Sequence, residues 1–340
     1  MIISAIVIVA YTTLGGFLAA STTDFIQSII MSVALIVVLI FGVETAGGIG
    51  AVIHNASELP GYLSMTLSYD VNTGKAAPYS ALTIVSTAAW GLGYFGMPHI
   101  LLRFMAIEDE KKLKLSRRVA TIWVVISLFV AVFIGVIGYT MSKVGALEML
   151  TGSNSETIIV KISALLSQHG VIFALLAGVI LAGILASTMS TSDSQLLAAS
   201  SAVSSDILGA FRKDSSNKNG SMAAARITLL VISVVAAFIA RNPDSSVFAI
   251  VSFAWAGFGA AFGPVVLFSL FWKRTNKWGA LAGMVCGGSM VFIWKYLIRP
   301  LGGIWNIYEL LPAFLIACAA IVIVSLLTPK PSKEIEEEFD

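Results

Sequence analysis

Residues 184–203 read ILASTMSTSDSQLLAASSAV, with six hydroxyls and one aspartate between Ser187 and Ser194. Greasy helical sequence precedes them at Leu181–Leu185 and follows at Leu196–Ala199. At 100° per residue Ser187, Ser190, Thr191 and Ser194 fall on one helix face, at i, i+3, i+4 and i+7, whereas Thr188, Ser192 and Asp193 point elsewhere. A stripe of hydroxyl oxygens on an apolar helix has two readings. Each hydroxyl can bond back to its own helix or glue two helices together. Alternatively, the hydroxyls of Ser190 and Thr191, with backbone carbonyl oxygen near Ser187, can ligate a hard cation such as sodium, which takes several oxygens in a dry site. Asp193 and Ser194 stand beside that set as accessory groups. An ionised carboxylate costs about 3 kcal/mol or more at the centre of a bilayer, so Asp193 must meet water, a partner or a permeation path.

The surroundings of this stretch are membrane-like throughout. Of 340 residues 57% are hydrophobic and 12% charged, and the mean hydropathy is +0.91, far from the balance of a soluble domain. A net charge of +2, with the basic residues in short loops, leaves no footprint for nucleic acid. Cys286 and Cys318 lie singly in apolar runs, with no disulfide framework. The start, MIISAIVIVAYTTLGGFLA, lacks the basic segment and cleavage site of a signal peptide and reads as a span. Apolar runs predict an all-α membrane protein of about nine spans: 2–19, 24–43, 79–97, 119–142, 170–197, 222–240, 246–271, 278–298 and 308–328. Fifteen of the 21 basic residues lie in the loops at 103–118, 212–226 and 273–277 and in the tail. Six lie on the other side, namely Lys75, Lys143, Lys161, Arg241, Lys295 and Arg299. The richer set faces the cytoplasm by the positive-inside rule, which places the acidic tail, 329–340, inside and Met1 outside. The domain expected is therefore a multi-pass unit over 1–328 in the plasma (inner) membrane. The long outside loops at 44–78 and 143–169 contain amphipathic patterns such as SETIIVKISALLSQ, which suit a helix lying over the outer mouth.

Two further polar interruptions matter. In WGLGYFGMPH, Trp90–His99, three glycines and a proline weaken a spanning helix, by about 1 kcal/mol per glycine and about 3 for an interior proline. Unwound backbone at membrane depth is tolerated only where it lines a cavity or is buried in protein, and an interrupted span is a pointer to a transporter's binding site. Trp90 and Tyr94, i and i+4, could wall a small amphipathic substrate, or fill space beside a kinked packing helix. In ASTTDFIQ, Ala20–Gln27, Asp24 is placed in the first turn of a new helix, either capped by Ser21 or Thr22 or holding a departing cation at the inner mouth. The stretch FAWAGFGAAFGPVVLF, 253–268, spaces Gly259 and Gly263 as a close-packing pair, with a moving gate as the alternative. His54, His99 and His169 are scattered, and no GxxxxGK[ST], HExxH or GxSxG motif of an enzyme occurs.

Five blocks taken together, GGFLAASTTDFIQ (15–27), WGLGYFGMPHILLRFMA (90–106), ILASTMSTSDSQLLAASSAVSSDI (184–207), FAWAGFGAAFGPVVLFSLFWKR (253–274) and WGALAGM (278–284), resemble the sodium:solute symporter family, and its sodium/proline symporters in particular. The resemblance implies the five-plus-five inverted-repeat fold, alternating access and sodium as coupling ion with no other cofactor. It implies sodium ligands at Ser187 (through its carbonyl), Ser190 and Thr191, substrate contacts at Trp90, Tyr94 and Pro98, and a sodium exit at Asp24. Met97 departs from the glutamine expected of a proline carrier. The resemblance also implies that most of the first repeat, including its broken first core helix, precedes the family position at which this sequence starts. The expected activity is sodium-driven import of a small amino acid, L-proline first; a carrier of pantothenate, a monocarboxylate or a sugar, or a transport-inactive or sensory membrane fragment, are the alternatives. Transport needs no covalent step, so an enzyme is not expected.

Overall fold

The computed structural model describes residues 2–211, 218–240 and 246–339. Met1, Asp340 and the loop residues Arg212, Lys213 and Arg241, used above to orient the chain, lie outside the described residues. In chain order the helices are α1 (Ile2–Thr45), α2 (Ile49–Ser57), α3 (Ala81–Ala88), α4 (Pro98–Met105), α5 (Leu113–Lys143), α6 (Ile158–Leu166), α7 (Val171–Ser201), α8 (Leu208–Phe211), α9 (Lys218–Ile239), α10 (Val247–Phe271), α11 (Lys277–Ile293), α12 (Leu310–Leu327) and α13 (Lys333–Phe339). Among the described residues six helices are long and apolar enough to cross a membrane: most of α1, α5, α7, α10, α11 and α12 with their flanks. The apolar part of α9, Ala223–Ile239, is shorter.

The nine expected spans differ from these six for local reasons. The runs 2–19 and 24–43 fall in one helical stretch, α1, whose single non-helical residue is Gly16, at φ 60° and ψ −155°. Only glycine takes that conformation without strain. The break therefore lies at Gly16, ahead of the polar hinge expected at Ala20–Asp24. There the hydroxyls serve the helix instead of ending it: Thr22 Oγ1 donates to the Leu18 carbonyl at 2.9 Å and Thr23 Oγ1 to Ala19 at 3.0 Å. Asp24 is thus an interior helical residue and not the first turn of a new helix. The run 79–97 becomes α3 followed by a 3₁₀ segment, Ala89–Gly96.

By contacts the chain forms two units, Met1–Leu63 with Ile107–Asp244 and Ser64–Ala106 with Ser245–Asp340. In the first, Ala34, Val38, Ile137, Met141, Ile162 and Ile180 belong to one buried core. Small residues set its helix spacing. A Cβ on Gly183 would lie 2.6 Å from the Ala34 Cβ, and one on Gly42 2.7 Å from Ile137 Cγ2. The amphipathic stretch at 155–168 does fold as a helix, α6, which buries Ile162, Ser163 and Leu166 and donates from Ser163 Oγ to the Ala177 carbonyl. Polar ties border this core: Lys143 pairs with Glu58, and Lys161 lies 2.6 Å from Glu148. The lysine holds the Glu148 carboxyl below its usual range.

The second unit carries the one departure from an all-helical chain among the described residues, an antiparallel hairpin of β1 (Leu67–Asp70) and β2 (Lys75–Pro78). Its turn is built by Asp70, whose carboxylate accepts from Asn72 N at 2.9 Å and from Thr73 Oγ1 at 2.8 Å, with Gly74 at φ 67°. The hairpin lies in the loop at 44–78, which also holds the helix α2. Otherwise α10, α11 and α12 pack through glycine and alanine. A Cβ on Gly287 would lie 2.2 Å from the Ala260 carbonyl oxygen and 3.0 Å from Ala317 Cβ, and one on Gly283 2.4 Å from Ile321 Cγ1. Asn276 caps α11 at Gly279 N (2.9 Å) while donating to Thr328 Oγ1 and the Pro329 carbonyl, each at 2.8 Å. The turn between α10 and α11 is thereby lashed to the end of α12. Replacing Gly287 with valine should cost this unit about 1–3 kcal/mol by overpacking; an unchanged unfolding temperature in detergent would contradict that packing.

Candidate functional site

The hydroxyl-rich stretch lies in the C-terminal half of α7. Ser190 Oγ and Thr191 Oγ1 both donate to the Ser187 carbonyl, at 3.1 and 3.2 Å, and Ser194 Oγ donates to the Ser190 carbonyl at 2.9 Å. The expected set of Ser187, Ser190 and Thr191 is therefore gathered at one carbonyl. Off the stripe, Thr188 and Ser192 bond back in the same way. Back-bonding uses the hydroxyl proton and leaves the oxygen lone pairs unused. The two readings of the stripe are thus compatible: the hydroxyls serve the helix as donors and remain acceptors toward a cation. Among the described residues no group of three His, Cys, Asp or Glu side chains forms a metal site.

Asp193 behaves differently. It is fully buried, and its Oδ2 accepts a 2.6 Å hydrogen bond from Tyr11 Oη on α1, while Oδ1 lies 3.2 Å from Ser194 Oγ, which competes with the Ser190 carbonyl for the same proton. Protein side chains surround the carboxylate, which answers the question its position in an apolar helix raises. Tyr11 was not singled out from sequence. The available signal was a tyrosine one turn from the GG pair of α1. At that pair the kink borders a cavity of about 270 Å³ whose lining includes Thr12, Thr13, Gly16, Ser200 and Arg226. Asp24 is half-buried on α1, eight residues past the kink.

In the other unit, the interrupted span is the 3₁₀ segment Ala89–Gly96, and the break is completed by Met97, extended at φ −82° and ψ 110°, with Pro98 opening α4. Proline suits that place because the first turn of a helix needs no N–H from it. Trp90 and Tyr94 do not form the i, i+4 pair expected of an α-helix, since 3₁₀ geometry advances about 120° per residue. Trp255 of α10 lies with both: its ring stacks on Trp90 at 5.5 Å and meets Tyr94 edge-on at 4.8 Å. Phe248 and Tyr308 also stack on Trp90, at 5.6 and 5.9 Å. Tyr308 is fixed at both ends, its Oη donating to the Ser252 carbonyl at 2.5 Å and its N to Ser86 Oγ at 2.7 Å. Trp90 is consequently a packed wall. Tyr94, 46% exposed, presents more of its ring.

The backbone of this segment is held at van der Waals range by α10. A Cβ on Gly96 would lie 2.3 Å from the Phe258 carbonyl oxygen and 2.8 Å from Gly259 Cα, and one on Gly259 2.7 Å from Gly93 Cα. The Gly259/Gly263 pattern thus makes a close contact between α10 and unwound backbone.

The profile of the sodium:solute symporter family matches residues 1–287, and the chain belongs to that family. Over 333 residues it is 38% identical to the osmoregulated proline transporter of Bacillus subtilis (strain 168), covering 98% of this chain and 64% of the relative. It is 40% identical to the sodium/proline symporter of Haemophilus influenzae over 338 residues, 98% of this chain and 64% of that one, and 36% identical to the sodium/proline symporter of Escherichia coli (strain K12) over 97% and 62%. The chain therefore spans a little under two-thirds of the length of these relatives. A solved structure of a sodium-coupled sialic acid symporter, substrate-bound and outward-open, superposes with a TM-score of 0.73 at 18% identity, over 96% of this chain and 66% of that one. That likeness establishes a shared fold.

The Tyr11–Asp193 bond yields a direct expectation. Tyr11→Phe removes one donor from a buried carboxylate and should lower stability by about 1–3 kcal/mol, and adding Asp193→Asn should recover part of that loss because a neutral amide is cheaper to bury. Additive losses in thermal unfolding would contradict the pairing.

Proposed function

We propose that this chain carries sodium-coupled import of a small amino acid, with L-proline as substrate, by alternating access in the plasma (inner) membrane. The observation that carries the reading is its 36–40% identity, over 97–98% of its length, to three transporters whose names specify proline. In this reading the chain contributes nine crossings to a five-plus-five inverted-repeat fold, and the tail after Pro329 lies in the cytoplasm.

Each residue has a part. The Ser187 carbonyl and the hydroxyls of Ser190 and Thr191 offer three oxygens to sodium, with Ser194 and Asp193 as accessory groups behind them. Asp24 receives the ion on its way to the cytoplasm. Trp90, Tyr94 and Pro98 wall the substrate: the aromatic faces take the apolar ring of proline, and the 3₁₀ segment brings backbone polar groups near its charged ends. Sodium bound first would order the hydroxyl face and raise substrate affinity, a positive coupling between two ligands. The membrane potential acting on one sodium is worth about 2.3 kcal/mol per 100 mV, enough for roughly 50-fold accumulation.

Uptake of radiolabelled proline into proteoliposomes with and without a sodium gradient tests the reading; sodium-independent or undetectable uptake would refute it. Ser190→Ala with Thr191→Ala should raise the sodium concentration for half-maximal uptake at least about tenfold, the effect of losing some 1.4 kcal/mol of binding. Tyr94→Ala should weaken proline affinity more than sodium affinity, and the reverse order would move the substrate elsewhere.

A further inference from the structure

Trp255 makes more contacts with the interrupted segment than any sequence pattern assigned to it. Its indole Nε1 donates to the Trp90 carbonyl at 3.0 Å, its face stacks on the Trp90 ring, and Tyr94 meets it edge-on. Gly93, between the two aromatic residues, lies directly against it: a Cβ there would be 2.0 Å from Nε1, 2.3 Å from Cδ1 and 2.8 Å from Cε2 of the indole. Both walls of the interrupted segment and one of its backbone carbonyls thus converge on a single side chain from another helix. Backbone at membrane depth needs protein partners for its polar groups, and an indole N–H supplies one without a charge.

We propose that Trp255 is a positioning residue for the substrate pocket, clasping the segment Ala89–Gly96 at the Trp90 carbonyl and fixing the direction in which Tyr94 faces. The inference rests on the reading of Trp90 and Tyr94 as substrate walls. Gly93 is the complementary half of the clasp, because any side chain there would push the indole away and tilt both aromatic residues. Trp255 acts through Trp90 and Tyr94 and needs no contact with the solute itself. Its loss should therefore appear in solute affinity while the hydroxyl face of α7 keeps its affinity for sodium.

The test uses protein expressed from its natural reading frame, purified and reconstituted in liposomes, with radiolabelled proline and a sodium gradient. Trp255→Phe keeps an aromatic ring and removes the donor; it should raise the proline concentration for half-maximal uptake about three- to tenfold, as expected for one hydrogen bond, with the sodium requirement at saturating proline unchanged within twofold. Gly93→Ala should weaken proline by more than about tenfold through the collision with the indole. Gly93→Ala in a Trp255→Ala background should weaken proline no further than Trp255→Ala alone, because the ring atoms that the new methyl group meets are gone. An unchanged proline requirement in Trp255→Phe, an equal shift in the sodium requirement, or a further loss when Gly93→Ala is added to Trp255→Ala would each overturn the proposal. If the unaltered protein takes up no proline, the functional reading fails, and the clasp is then judged by thermal unfolding. Gly93→Ala should lower the midpoint in the unaltered protein but not in Trp255→Ala, and additive losses would overturn the clasp as well.

Discussion

Backbone that leaves the α-helical state inside packed protein must find other partners for its N–H and carbonyl groups, and in the second unit the packing around one short segment serves that requirement. The 3₁₀ segment Ala89–Gly96 is covered by α10 at a distance that only glycine permits, with Gly93 and Gly96 on one side and Gly259 on the other. Trp255 donates its indole N–H to the Trp90 carbonyl. In turn α10 is held by the glycine face of α11 and by α12, so the small residues of three helices all bear on the position of one short irregular stretch. Bulk introduced at Gly287, far along the chain, acts on the same assembly.

The first unit meets the same constraint with side chains. Asp193 is tolerated inside a helix pair because Tyr11 supplies a donor where water would otherwise be needed. The hydroxyls of Ser190, Thr191 and Ser194 on the neighbouring face bond back to carbonyls of α7 itself. A helix can thereby carry six hydroxyls and an acid within eight residues and still lie in a membrane.

What was legible in the sequence followed the range of the interaction. The hydroxyl face, the break at Met97–Pro98, the amphipathic helix α6 and the close packing at Gly259 and Gly263 all come from spacing within one helix turn or two, and the structure has them. The position of the first kink was misplaced because polar residues at Ala20–Asp24 resemble a helix start, whereas threonine hydroxyls that bond to i−4 carbonyls let a helix continue, and only Gly16 has the freedom to interrupt it. The hairpin at 67–78 was missed because its strands are four residues each, too short for an alternating pattern to stand out. The partner of Asp193 lies 182 residues away, and Trp255 meets Trp90 across 165; no local periodicity encodes either. The hydroxyl set, Asp24 and the aromatic walls were legible as candidates, and their roles rest on family resemblance.

Because Ser190, Thr191 and Ser194 have already given their protons to helix carbonyls, the face they present toward the outside of α7 consists of lone pairs alone. A surface of that kind reads a guest by charge and radius and not by its pattern of donors and acceptors. In the sodium site proposed here, discrimination between cations would rest on an oxygen spacing set by the pitch of a single helix and as rigid as that helix.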